Sequence, residues 1–126
     1  MSFIESKRIL VIEDDRYILE TLVELLTEEG YSVSSAVNGE EALTLLKSMI
    51  ALPHLILLDL MMPIKDGLAF RQEQKCHPKL SEIPVVLMSA DGQIDLRRDQ
   101  LGLKYHLKKP IDLDQILTMM KDLCAS

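Results

Sequence analysis

Carboxylates and one lysine stand at the ends of apolar runs. Glu13, Asp14 and Asp15 follow Ile9-Leu10-Val11-Ile12, Asp59 follows Leu55-Ile56-Leu57-Leu58, and Lys109 precedes Pro110. In a parallel α/β sheet, residues just past the carboxyl ends of the strands converge on one rim, where such folds bind ligands. Carboxylates crowded there repel one another and cost stability unless a cation neutralises them. Oxygen-only ligands beside a lysine suit Mg²⁺ and a phosphoryl group, with Asp59 as the nucleophile.

The elements that must position these residues alternate between strand and helix. Lys7 to Ile12 reads as a buried strand. Ile18, Leu22, Leu25 and Leu26 recur at helical spacing, and Gly30 supplies a stop. Tyr31 to Val37 alternates as a short strand, and Asn38 with Glu41 forms a capping-box pattern before the next helix. Leu55 to Leu58 is continuously apolar, as a central strand covered on both faces should be. A modest helix follows from about Leu68 to Cys76, then a buried strand over Val85 to Met88, and a last strand over Tyr105 to Lys108. Asp112 with Gln115 can cap a final helix carrying Ile116, Leu117, Met120 and Leu123. This order predicts a doubly wound α/β fold with a parallel sheet, helices on both faces and right-handed crossovers. Periodicity leaves the strand order open.

Composition narrows the function classes. The 126 residues match one ordinary domain, 48% hydrophobic and 27% charged, with no apolar run of membrane-spanning length. The first residues lack a signal-peptide pattern. Cys76 and Cys124 have neither zinc-site spacing nor a disulfide framework, which suits reduced thiols and a cytoplasmic setting. A net charge of −6 argues against a nucleic-acid surface. His54 and His77, near turns, read as surface histidines.

Several pieces in the right order resemble a receiver domain of two-component signalling, the response-regulator family. They are Ile9-Leu10-Val11-Ile12-Glu13-Asp14, Asp59-Leu60-Met61-Met62-Pro63 with Asp66-Gly67, Pro84-Val85-Val86-Leu87-Met88-Ser89-Ala90, and Lys109-Pro110. The resemblance runs from Arg8 to about Leu123. It implies a flavodoxin-like (βα)5 fold with a five-stranded sheet ordered 2-1-3-4-5. It also implies roles. Asp59 would accept a phosphoryl group from a histidine kinase or phosphotransfer protein. Asp14 would bind Mg²⁺ directly and Glu13 through a metal-bound water, with Asp59 and the Met61 carbonyl completing the protein ligands. Ser89 would donate its hydroxyl to one phosphoryl oxygen and Lys109 would place its ammonium beside another. A cis bond before Pro110, frequent in the family, would aim Lys109 inward. Asp15 reads as a cap of the following helix rather than a ligand.

Further expectations rest on the same resemblance. His106 stands three residues before Lys109, where the family usually carries Tyr or Phe as the aromatic switch that follows the Ser89 hydroxyl. If it is the switch, the bias would respond to pH near neutrality. Met61 and Asp91 would flank the water that hydrolyses the phosphoryl group and so tune its lifetime. Arg16, Tyr17, Glu20, Pro110 and Ile111 would flank the docked phosphodonor. Only 20 positions separate Ser89 from Lys109, about two fewer than is usual in receivers. That deficit, with few apolar anchors over Asp91 to Gly102, predicts a shortened or irregular fourth helix.

Other classes fit less well. A flavin carrier would need a Ser/Thr/Gly-rich phosphate loop where Glu13-Asp14-Asp15 stands. An aspartate-nucleophile phosphohydrolase would need a second acid at Met61. A degenerate receiver that only docks is the remaining alternative, disfavoured by the full set of polar residues. The expectation is one receiver domain over residues 1–126, with no output domain following Ser126. It would be no enzyme toward external substrates, would catalyse its own phosphorylation and slow dephosphorylation, and would signal to a downstream protein rather than to nucleic acid or membrane.

Overall fold

The computed structural model describes residues 7–60, 62, 65–89 and 105–123. Five strands, β1 (Arg8–Ile12), β2 (Ser32–Ala36), β3 (Leu55–Asp59), β4 (Val85–Ser89) and β5 (Tyr105–Lys108), form one parallel sheet ordered β2-β1-β3-β4-β5. Four helices are described: α1 (Arg16–Glu28), α2 (Gly39–Ser48), α3 (Gly67–Cys76) and α4 (Leu113–Leu123), with a 3₁₀ turn over Leu80–Glu82. The segment expected to hold a shortened or irregular fourth helix, including Asp91, lies outside the described residues.

Alternating side chains of the apolar strands feed two cores. Leu10, Ile12, Ile56, Leu58 and Leu87 pack with Ala42 and Leu46 of α2 and Phe70 of α3. Ile9, Val11, Leu57, Val86 and Met88 pack with Leu22 and Leu26 of α1 and Ile116 and Met120 of α4. Each fully buried Leu or Ile contributes about 1.5–3 kcal/mol through area removed from water. That two-sided burial is why β3 and β4 read as unbroken apolar runs. It also means both strands can end in a polar residue only at the rim, at Asp59 and Ser89.

Short-range polar contacts fix where the helices begin and end. Asp15 Oδ1 accepts from the Ile18 amide at 3.1 Å, as its reading as a cap predicts. Asn38 Oδ1 accepts from the Glu41 amide at 2.8 Å, while the Glu41 carboxylate reaches back to the Val37 amide, one residue before the capping-box position. Asp66 caps α3 through the Ala69 amide at 2.9 Å, and Asp112 Oδ1 takes the Asp114 amide at 2.8 Å. Each such cap is worth about 1 kcal/mol. At the end of α1, Gly30 takes a φ of 97°, and the amides of Gly30 and Tyr31 return to Thr27 and Leu26, a Schellman stop.

Two histidines differ from expectation. His54 Nδ1 accepts the Arg8 amide at 2.9 Å at the start of β1, and His77 Nδ1 accepts the Leu80 amide at 3.4 Å. Both are half-buried backbone anchors rather than plain surface residues, each ring nitrogen accepting a backbone amide.

Candidate functional site

The parallel register brings four strand ends to one rim. Glu13 follows β1, and its amide donates to Ala36 O of β2 at 3.0 Å, which keeps the chain in the sheet for one more residue. Its side chain is fully buried, while Asp14 faces solvent. Asp59 closes β3 opposite Met88, so Ser89 lies one residue beyond it on the neighbouring strand. Ser89 in turn pairs with Lys108, and the Lys109 amide donates to Ser89 O at 2.9 Å. The Lys109–Pro110 bond is cis, and Lys109 points inward.

One ammonium holds two buried carboxylates together. Lys109 Nζ donates to Asp59 Oδ1 at 3.2 Å and stands 2.6 Å from Glu13 Oε1. The second contact is a short ion pair to a buried carboxylate oxygen. Glu13 Oε2 accepts the Asp15 amide at 3.2 Å. Burial, with Glu13 beside it, pushes the Asp59 carboxyl up to about 7, against the opposing pull of Lys109. Burial alone would lower the Lys109 ammonium, but Glu13 and Asp59 outweigh it and its pKa is raised.

Glu13, Asp14 and Asp59 each offer an oxygen within 4.8 Å of the others. This all-oxygen donor set fits a hard divalent cation that keeps part of its water shell, as Mg²⁺ does. One lysine charge does not balance three carboxylates, so the rim retains room for added positive charge.

Gly67 is the residue whose importance residue type alone did not reveal. A Cβ there would lie 2.7 Å from Asp59 O and 3.0 Å from Leu60 Cα, while the Gly67 amide donates to Leu60 O at 3.0 Å. The start of α3 therefore packs directly on the backbone at the Asp59 end of β3, and only glycine permits that approach. The family motif contained Asp66-Gly67, yet its physical reason appears only when β3 and α3 meet.

The chain matches the family model described as response regulator receiver domain over residues 9–121. It belongs to that family. It is 32% identical to sporulation initiation phosphotransferase F of Bacillus subtilis over 118 residues, covering 92% of each chain. It is 36% identical to response regulator MprA of Mycolicibacterium vanbaalenii over 92% of this chain and 49% of that protein. The chain thus spans about half the length of several curated relatives it matches. The crystal structure of a signal receiver domain of a signal transduction histidine kinase from Syntrophus aciditrophicus superposes with a TM-score of 0.85 at 31% identity, covering 95% of this chain and 91% of that one.

The receiver's other expected residues fall at different places. Tyr17, Pro110 and Ile111 line a groove of about 190 Å³ beside Lys109, between α1 and α4; Arg16 and Glu20 are exposed on α1 and line none of it. His106 is half-buried on β5 opposite Leu87, beside Lys108, Asp114 and Thr118. Met61 lies outside the described residues. No helix among the described residues is long and apolar enough to cross a membrane.

Proposed function

We propose that this receiver accepts a phosphoryl group on Asp59 from a histidine kinase or histidine phosphotransfer protein and passes the signal on by protein contacts. The observation that carries the reading is the buried Asp59 carboxylate held between Glu13 and Lys109 at the rim. An Asp59 oxygen attacks phosphorus, the bond from phosphorus to the donor nitrogen (or to the acetyl oxygen of acetyl phosphate) breaks, and the donor leaves with that electron pair. A carboxylate needs no general base for this step. Lys109, freed from one carboxylate as Asp59 becomes an acyl phosphate, neutralises a phosphoryl oxygen, and Ser89 donates its hydroxyl to another. Glu13, Asp14 and Asp59 would hold Mg²⁺ with the Met61 carbonyl, and the ion supplies charge neutralisation for the incoming anion. Residues 1–126 act on this reading as one receiver domain.

The donor would dock over Tyr17, Pro110 and Ile111, with Arg16 and Glu20 at its margin. Mg²⁺-dependent labelling by acetyl phosphate separates this reading from a module that only docks. Labelling that needs Mg²⁺ supports it, and absence of any adduct with Mg²⁺ present contradicts it. Charge reversal at Arg16 and Glu20 together should slow transfer from the cognate kinase and spare labelling by acetyl phosphate.

A further inference from the structure

The opposite end of the sheet carries a second surface of different chemistry. α2 and α3 run back along the strands they cover, so their last turns meet at the strands' amino ends, away from Asp59. There, two adjoining grooves of about 480 and about 410 Å³ share Lys47, His77, Pro78 and Leu80. Leu43, Met49 and Leu52 give them apolar walls, and Ile50 stands wholly exposed in the second.

Charge at this end opposes that of a chain whose net charge is −6. Lys47 and Lys75 sit in the last turns of α2 and α3, and Lys79 opens the 3₁₀ turn. None of the three forms an ion pair among the described residues. The one carboxylate lining the grooves, Glu73, is paired with Lys65, and Glu82 on the 3₁₀ turn lines neither. The two helix carboxyl ends contribute about half a negative charge each. Lys47 and Lys79, which line the grooves, outweigh them, with Lys75 just outside, and leave a positive field over an apolar floor.

From this combination we infer that the amino end of the sheet docks an acidic amphipathic segment of a partner protein. Apolar side chains of that segment seat over Ile50, Leu52 and Pro78, and flanking Asp or Glu meet Lys47, Lys75 and Lys79. Three lysines are too few to hold a nucleic-acid backbone against the chain's own charge. Because Asp59 lies at the far end of β3, this partner and the phosphodonor bind at the same time, and the inference does not depend on phosphoryl transfer.

The test uses the whole ¹⁵N-labelled chain and a helical peptide with Leu at the i, i+3, i+4 and i+7 positions of one face and Glu elsewhere. Amide shifts should move at Lys47, Ile50, His77 and Leu80 and stay fixed at Asp59. Ile50→Ser, and separately Lys47→Glu with Lys79→Glu, should weaken binding about tenfold each with unchanged circular dichroism, since all three side chains are exposed or half-buried. The same peptide with Lys in place of Glu should not bind. Equal binding of the Lys peptide, shifts centred elsewhere, or no shifts at millimolar peptide overturns the inference. So does a concentration-dependent dimer of the chain alone that Ile50→Ser abolishes, because the occupant would then be a second copy.

Discussion

Replacing Asp59 with Asn should make the metal-free protein more stable, and the size of the gain follows from the site. The folded Asp59 carboxyl titrates at about 7 against 3.8 for an unperturbed group, burial being the largest cause and Glu13 the next. Between those values the native state holds a proton that the unfolded chain has lost, so stability falls as pH rises from about 4 to about 7 and levels off above. Roughly three units at about 1.4 kcal/mol each set a ceiling of about 4 kcal/mol on the cost of the charge. Asn removes that cost, and its Oδ1 can still accept from Lys109, whose opposing pull is already contained in the shift. Lys109 keeps Glu13, 2.6 Å away, so no charge is stranded. The net expectation at pH 8 in a chelator is a gain on the order of 1–3 kcal/mol, shrinking toward zero near pH 4, where Asp59 is neutral in the native state and only partly ionised in the unfolded chain. Urea unfolding of both proteins at pH 4, 6 and 8 measures it. Saturating Mg²⁺ should narrow the gap at pH 8 by stabilising the wild type alone. A wild type that is more stable than Asp59→Asn at pH 8 without metal would refute the reasoning.

Three further perturbations probe the same rim. Lys109→Ala removes the cation that competes for Glu13 and Asp59, so Mg²⁺ should bind about tenfold more tightly by calorimetric titration, while labelling by acetyl phosphate slows about a hundredfold. Gly67→Ala forces a Cβ against Asp59 O and Leu60 Cα; urea unfolding should show a loss of about 1–3 kcal/mol despite alanine's better helix propensity. Gln74→Leu strands the Leu80 and Ile83 carbonyls that its buried amide reaches at 2.8 and 3.1 Å, and should cost about 1–3 kcal/mol without changing phosphoryl acceptance.

Much of the rim was legible in the residues because apolar strands announce where they end. Ile9 to Ile12 and Leu55 to Leu58 place Glu13 and Asp59 at strand ends before any contact is known, and Asp15 reads as the cap it is. The strand order was different: periodicity left it open, and only the family resemblance supplied the 2-1-3-4-5 arrangement that the sheet has. Long-range packing stayed hidden for physical reasons. Gly67 looked like a turn residue because the backbone it must approach is eight residues earlier in the chain. Gln74 carries no signal in the chain, and its burial follows from the 3₁₀ turn whose Leu80 and Ile83 carbonyls it reaches. His54 and His77 lacked a visible partner because their partners are backbone amides, which every sequence contains. The grooves at Lys47 and His77 arise from two helix ends that only tertiary structure brings together.

Every role proposed at this rim depends on Asp59 as the phosphoryl acceptor. Intact-mass analysis after incubation with acetyl phosphate and Mg²⁺ tests it most directly, comparing the wild type with Asp59→Asn. The account predicts a single phosphoryl adduct on the wild type, lost when Mg²⁺ is chelated beforehand, and none on Asp59→Asn. An undiminished adduct on Asp59→Asn would contradict it.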